Sequence, residues 1–284
     1  MNIQSLSIVV PTGQCWNHCE FCVSRMHSED YGKNLHFDII IPEDYINRME
    51  YVREEGCNSM IITGTAEPQQ NLPFIYKLLA ANRTLRKPFY NIAIQTTGSG
   101  LNSTDICTLA TSGVTTLALS VNSFDDIENW EITNTPANKR IMTIEQLIEE
   151  AKKWNMNVRV CLNLTSAFNG FDPTFFFFWA EVKNVDQLTF RKIYKSGTGK
   201  EAEWVGTHEY PRAKFKAIEE LVRTYGVPIA KLPYGFVQYS VNGISTVIDT
   251  NCMSKDNIDE MKYAILRPNG HLYSRWDDKG SLIF

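Results

Sequence analysis

Three cysteines within eight residues are the groups in this chain best placed to do chemistry. The segment reads Gly13-Gln14-Cys15-Trp16-Asn17-His18-Cys19-Glu20-Phe21-Cys22, a C-x3-C-x2-C spacing. Cysteines scattered at the chain's overall frequency would give roughly 0.004 such triplets in a sequence of this length, so the cluster points to a metal. Structural zinc normally takes four ligands. His18 would then have to be the fourth, and its place between two cysteines gives it poor geometry. Three thiolates suit a four-iron cluster better when one iron is meant to stay open, because most electron-transfer clusters take four cysteines. The open iron offers a position to a ligand that binds through nitrogen and oxygen.

The other four cysteines, Cys57, Cys107, Cys161 and Cys252, are far apart and form no second motif. Seven cysteines is an odd number, and the start Met1-Asn2-Ile3-Gln4-Ser5-Leu6 has no basic region leading into an apolar run. No signal peptide is expected, and a reducing, cytoplasmic location is. No stretch approaches the length of an apolar membrane span, so no membrane partner is expected. Of the 284 residues, 43% are hydrophobic and 21% charged, which excludes a disordered or collagen-like chain. The net charge of -4 gives no ground for bulk binding to a large nucleic acid.

Alternating apolar runs and helical patterns surround the cysteines and must position them. Strand-like runs fall at residues 6–10, 60–63, 91–96, 116–121, 158–164 and 187–193. Helical patterns lie between them: Pro42 with Glu43 and Asp44 opens one, and Ile144, Leu147, Ile148 and Ala151 mark the apolar face of another. This rhythm predicts an α/β fold, an incomplete parallel (β/α)6 barrel over residues 1–230. After 230 the pattern changes. Asn242-Gly243 between two β-rich runs predicts a hairpin, and residues 261–276 predict another, so 231–284 reads as a C-terminal β-rich extension packed on the barrel. The cysteine loop follows the first strand, which places it at the carboxyl end of the barrel, where such folds keep their active sites.

The cysteine segment closely resembles the signature of the radical S-adenosylmethionine (radical SAM) superfamily, C-x3-C-x-aromatic-C, with Phe21 in the aromatic place. The family's second strand ends in a Gly-Gly-Glu-Pro-like motif, and here residues 60–63 run into Gly64-Thr65-Ala66-Glu67-Pro68, with Ala66 in place of the usual glycine. Thr96-Thr97-Gly98 resembles the family's turn after the third strand, and Ser120 lies where the family often has a polar residue facing the cofactor.

The resemblance implies an enzyme with a [4Fe-4S] cluster on Cys15, Cys19 and Cys22 and with S-adenosylmethionine as its second cofactor. Reductive cleavage of S-adenosylmethionine would give a 5′-deoxyadenosyl radical that takes hydrogen from a small-molecule or nucleotide-like substrate. It implies cofactor contacts from Gly64, Thr65, Ala66 and Glu67, and from Ser120, Asn122 and Asn163. A helix start before Pro68 is the other reading of Glu67, and Ser120 and Asn122 read equally as caps after the fourth strand. A low-potential donor such as flavodoxin or ferredoxin would supply the electron. Modification of a peptide or a transfer RNA is the alternative within this chemistry. A non-catalytic iron–sulfur or zinc sensor is the alternative outside it. From the tail, Tyr239, Asn251, His271, Tyr273, Arg275 and Trp276 are expected near the barrel mouth, and Cys252 is a candidate hydrogen-atom donor, with an inert buried thiol as its other reading.

Overall fold

The computed structural model of the chain describes residues 2–26, 42–232, 236–250, 260–276 and 280–284. Strand β1 (Asn2–Val9) leads through the cysteine loop to a single helical turn, α1 (Val23–Met26). Then come α2 (Pro42–Glu54), β2 (Ser59–Thr63), α3 (Leu72–Thr84), β3 (Asn91–Thr96), α4 (Ser103–Ser112) and β4 (Thr116–Val121). They continue with α5 (Asp126–Ile132), α6 (Ile144–Lys153), β5 (Asn157–Leu164), α7 (Pro173–Val182) and β6 (Gln187–Lys192). After β6 run α8 (Lys200–Thr207), α9 (Arg212–Tyr225), β7 (Val227–Lys231), β8 (Val237–Val241), β9 (Ile244–Asp249), β10 (Glu260–Leu266) and β11 (Leu272–Tyr273).

Local chemistry explains where the helices begin. At α4 the Asn102 side chain accepts the Asp105 N–H while the Asp105 carboxylate accepts the Asn102 N–H, a reciprocal capping box. At α6 Thr143 and Gln146 do the same, and loss of such a cap costs about 1 kcal/mol. Helix α6 buries Ile144, Leu147, Ile148 and Ala151, one stripe at helical spacing. Each large side chain buried there contributes about 1.5–3 kcal/mol. Pro173 sits in the first turn of α7, where its missing N–H is not needed.

The strands form one sheet in the order β11-β10-β1-β2-β3-β4-β5-β6-β9-β8-β7. From β10 across to β9 every pairing is parallel; β11, β8 and β7 add antiparallel at the two ends. The sheet is not closed, since β9 and β10 are not neighbours in it. The expected α/β fold with an open, mostly parallel sheet is therefore the architecture observed, and β10 and β9 extend the parallel run beyond β1 to β6.

The two predicted hairpins are present, but they part company. Asn242-Gly243 turns β8 into β9 with φ of 49° and 83°, left-handed values that favour this pair. Strand β9 then pairs with β6, while β10 of the other hairpin pairs with β1 at the far side of the sheet. Both edges of the six-stranded run thus receive a strand from the C-terminal segment.

The two faces of the sheet differ in chemistry. One face sends Leu6, Ile8, Met60, Ile62, Ile94, Leu119, Leu162 and Phe190 into a core shared with the helices. Alternation puts Ser7, Thr63, Gln95, Ser120, Cys161, Asn163, Thr189 and Arg191 on the other, concave face. In-register pairing lines up Ser120 with Cys161 and Thr189, and Asn163 with Arg191 and Asp249. The polar concave face is what a site can be built on.

Candidate active site

The loop from β1 to α1 is held from three sides. From the β2 side, the Asn71 amide donates to the Pro11 carbonyl (2.7 Å) and the Gln70 amide to the Gln14 carbonyl (3.1 Å). From the β3 side, Ser99 accepts the Trp16 indole N–H at 2.8 Å. From α5, the Thr133 carbonyl accepts the His18 N–H (3.0 Å), and the Asn134 amide donates to the His18 carbonyl and to Glu20 Oε1. The loop carrying the three cysteines is thereby fixed against the carboxyl ends of β2, β3 and β4.

Helix α8 covers the same loop, and no sequence pattern announced it. Arg25 Nη2 donates to the Cys19 carbonyl at 2.7 Å while its Nε lies 2.9 Å from Glu201 of α8. Phe21 packs against Trp204 of α8 with ring centroids 6.0 Å apart, and Trp204 stacks on His208 at 4.1 Å. The aromatic residue of the cysteine motif is thus roofed by a helix from beyond β6.

The three thiols form one electrostatic group. Desolvation raises the Cys15 thiol above its ordinary value, and the Glu67 carboxylate adds to the rise. Desolvation pushes Cys19 up much further, followed by Cys22, Glu67 and Cys15. The backbone N–H groups of Asn17 and Glu67 near the Cys15 sulfur oppose its rise. A pocket that disfavours bare thiolates in this way suits a cationic centre that compensates them. The residues on either side of Cys15 are tied to the segment after β2: the Trp16 N–H donates to Gln70 Oε1 at 3.1 Å, and the Gln70 amide to the Gln14 carbonyl.

Cys15, Cys19 and Cys22 are free, half-buried thiols on the one loop. Among the described residues, no three His, Cys, Asp or Glu side chains gather closely enough to hold a metal ion. His18, the fourth ligand that zinc would require, is exposed, and its Nδ1 meets Arg25 Nη1 at 3.1 Å. Cys57 and Cys161 are buried free thiols, Cys57 bonding to the Ser59 carbonyl and Cys161 on the concave face; Cys107 is half-buried on α4. Cys252 and Asn251 lie outside the described residues.

The loop after β2 is tight. A Cβ at Gly64 would meet the Ala66 carbonyl oxygen at 3.0 Å and that of Val10 at 3.5 Å. Thr65 and Ala66 are half-buried beside it. Glu67 turns inward at 7% exposure and gathers donors. Thr96 Oγ1 (2.5 Å), Gln69 Nε2 (2.9 Å) and the Thr97 N–H (3.1 Å) donate to Oε2. Thr97 Oγ1 (2.8 Å) and Asn17 Nδ2 (3.3 Å) donate to Oε1. Glu67 heads the short helical turn Pro68–Asn71, but its side chain makes no cap there. The carboxylate instead ties the cysteine loop to the turn after β3.

The polar residues after β4 and on β5 divide into two kinds. Ser120 is half-buried on the concave face. Asn122 is fully buried; its N–H and amide donate to Asn129 Oδ1, and its Oδ1 accepts the Asn163 amide at 2.9 Å. Asn163 is thereby oriented from behind. Of the tail residues, Trp276 lines a cavity of about 170 Å³ on the concave face, together with Thr63, Gly64, Gln95, Arg191 and Tyr263. Tyr273 is buried with Val9 and Ile265, while His271 is exposed. Tyr263 is among the cavity residues that sequence reasoning missed, with Ser7 and Gln95; its place opposite Ser5 in the β10–β1 register becomes visible only once β10 is known to join β1.

Comparison with known proteins follows this geometry. Residues 9–176, more than half of the chain, match the family described as the Radical SAM superfamily. No curated protein matches the chain by sequence. Among solved structures, SuiB of Streptococcus suis bound to S-adenosylmethionine superposes with a TM-score of 0.61 at 14% identity, over 95% of this chain and 60% of SuiB. anSMEcpe with bound AdoMet gives 0.61 at 16% identity, over 95% of this chain and 74% of that one. HydG, a maturase of the [FeFe]-hydrogenase, gives 0.55 at 10% identity, over 76% and 48%. The likeness to these structures is one of fold, and the chain spans about 60% of the length of SuiB. Carried by the family match over residues 9–176, the chain belongs to the radical SAM superfamily, enzymes whose cofactors are a [4Fe-4S] cluster and S-adenosylmethionine.

Proposed function

We propose that Cys15, Cys19 and Cys22 hold the [4Fe-4S] cluster and that S-adenosylmethionine lies between the cysteine loop and Gly64–Ala66, with Ser120 and Asn163 beside it. The observation that carries this reading is the joint between the two loops, where the amide of Asn17, between Cys15 and Cys19, donates to the Glu67 carboxylate at 3.3 Å. When bound, the two cofactors together supply a 5′-deoxyadenosyl radical that abstracts hydrogen from a substrate. The chain's own residues do the rest. The narrow turn at Gly64 leaves its carbonyls, rather than a side chain, to face the cofactor's ammonium group. The Glu67 carboxylate, already engaged by five donors, holds the turn in place instead of accepting from the cofactor. Asn122 orients Asn163 and stays out of contact itself. Phe21 and Trp204 keep water from the cluster side.

The substrate occupies the cavity under the loops, closed on the β10 side by Tyr263 and Trp276. We take it to be a small or nucleotide-like molecule, with residues 1–230 as the cofactor-binding barrel and 231–284 as the segment that completes its wall. A peptide substrate is the second reading, favoured by SuiB bound to its precursor peptide SuiA and by anSMEcpe bound to AdoMet and a Cp18Cys peptide. A flavodoxin or ferredoxin in a reducing, cytoplasmic setting is the electron donor in this reading. No helix among the described residues is long and apolar enough to cross a membrane. The test is anaerobic reconstitution with iron and sulfide, reduction, and assay for 5′-deoxyadenosine. Formation of the nucleoside only when all three cysteines are present supports the reading; a reconstituted protein that leaves S-adenosylmethionine intact ends it.

A further inference from the structure

The cysteine loop carries a cation of its own. Arg25 lies in the turn α1, just beyond Cys22, and its side chain folds back over the loop it follows. Nη2 donates to the Cys19 carbonyl at 2.7 Å and to the His18 carbonyl at 3.4 Å. Nη1 meets His18 Nδ1 at 3.1 Å. A guanidinium has no acceptor, so it donates there and the His18 ring is the neutral acceptor. Hydrogen bonds on both Nη atoms therefore hold the charge against the peptide of residues 18 and 19.

That position puts the charge close to a ligand of the cluster. The Cys19 carbonyl and the Cys19 sulfur belong to one residue, so covalent geometry keeps Nη2 within about 8 Å of the sulfur. The thiol responds to it. Desolvation, then Cys22, Glu67 and Cys15, disfavour the ionised form of Cys19, and Arg25 favours it. Glu201 of α8 stands on the other side of the guanidinium, with Oε1 2.9 Å from Nε. The charge thus comes from the cysteine loop and its counter-charge from a helix beyond β6. Glu67 opposes Arg25 from the loop after β2, since its carboxylate disfavours ionisation of both Cys15 and Cys19.

We propose that Arg25 is a positioning residue that raises the reduction potential of the cluster on Cys15, Cys19 and Cys22, and that Glu201 limits the rise. The proposal rests on the radical SAM reading above and adds to it how the chain sets the energy of the electron-transfer step. One electron from a donor of the flavodoxin or ferredoxin class takes the cluster from its oxidised to its reduced state; no bond breaks and no proton moves. The site gains one negative charge, which a fixed cation stabilises and a carboxylate opposes. A unit charge at about 8 Å, with an effective dielectric constant of about 40 for a half-exposed group, changes the reduction equilibrium about fivefold.

The test is a redox titration of the reconstituted protein without S-adenosylmethionine, read from the electron paramagnetic resonance signal of the reduced cluster. R25Q should make the reduced state about fivefold less populated at a fixed donor potential, a midpoint lower by about 40 mV for a one-electron couple. R25K keeps the charge and gives up the planar grip on the two carbonyls; its midpoint should stay within about twofold, or about 20 mV, of the wild type. E201Q removes the counter-charge and should move the midpoint upward by about threefold, or about 30 mV. An unchanged midpoint in R25Q overturns the proposal. So does R25K falling as far as R25Q, because the grip on the loop and not the charge would then set the potential. If R25Q takes up no cluster, E201Q decides, and a midpoint that stays or falls there overturns the proposal. Formation of 5′-deoxyadenosine by the wild type is measured separately. Nucleoside formed with all midpoints unmoved sinks this inference alone, and shifted midpoints without nucleoside sink the radical reading alone.

Discussion

Replacing Glu67 by glutamine separates two jobs that the motif Gly64-Thr65-Ala66-Glu67-Pro68 has to do. The carboxylate accepts from Thr96, Thr97, Gln69 and Asn17, which fills the roughly four lone-pair directions that a carboxylate offers. Glutamine puts an NH2 where one oxygen was. The threonine hydroxyls can rotate and accept from it, but the Gln69 or Asn17 amide then faces another donor. One charge-assisted bond is lost outright, and a second becomes a clash of like groups. With such bonds at about 1.5–3 kcal/mol each, E67Q should cost about 2–3 kcal/mol. For a chain of this size that is a fall of about 5–10 °C in Tm. E67A, which orphans all of the buried donors, should cost more than E67Q and should reduce cluster loading, because Asn17 of the cysteine loop is no longer tied to the turn after β2. The assay is thermal unfolding of the protein with and without cluster, alongside equilibrium binding of S-adenosylmethionine. Affinity in folded E67Q should change by no more than about threefold, which is under 1 kcal/mol. A Tm left unchanged together with a tenfold or greater loss of affinity would show that the carboxylate holds the cofactor, and the reasoning from its filled oxygens would be refuted.

Other perturbations report on other joints of the site. Alanine at Cys15, Cys19 or Cys22 should abolish 5′-deoxyadenosine formation, while alanine at Cys57 or Cys107 should leave the cluster's visible absorbance intact; any single-cysteine variant of the triplet that keeps full cleavage removes that residue from the ligand set. Trp204→Ala and Glu201→Gln loosen the roof over Phe21 and the brace on Arg25, so the reconstituted cluster should bleach faster in air; equal bleaching rates would show that α8 does not shield it. Asn122→Ala leaves buried partners at Asn129 and Asn163 unsatisfied and should cost about 1–3 kcal/mol of stability. Its effect on S-adenosylmethionine affinity should stay small, and a stable variant with much weaker binding would instead put Asn122 in contact with the cofactor.

Much of this was legible in the chain because the physics is local. Strand runs such as Asn91–Thr96 and Thr116–Val121 are short, β-rich and bounded by glycine or asparagine, and the structure reproduces them to the residue. Helix α6 was legible from its apolar stripe, and the cysteine loop from its spacing. Long-range pairing was not. Nothing in residues 244–266 states that β9 pairs with β6 while β10 pairs with β1, because a strand's partner is set by what lies across the sheet and not by its own alternation. Helix α8 was missed because its apolar positions, Ala202, Trp204 and Val205, are few and interrupted by charge. The inward turn of Glu67 was equally hidden. An acid before proline reads as a helix start, and only the arrival of Thr96 and Thr97 on the neighbouring strand turns it into a hub.

An incomplete barrel has a physical difficulty that a closed one lacks: two strand edges face each other without a ladder between them. Here those edges are β9 and β10, and side chains bridge them where the backbone does not. Asp249 of β9 and Lys262 of β10 pair at 3.3 Å with both side chains 8% exposed, and Arg191 of β6 joins from inside. Such a buried pair adds little net stability, since desolvation offsets most of the attraction. What it fixes is the spacing of the two lips, because either charge left alone in that setting would be strongly unfavourable. A backbone ladder would have drawn the strands to about 4.8 Å and narrowed the lumen. Ion pairing across the gap holds the wall together while leaving the cavity against Gly64, Gln95 and Trp276 open. The same carboxylate that spaces the lips also lies 3.4 Å from the Arg191 guanidinium, so the wall of the cavity and the joint between the lips share one set of side chains.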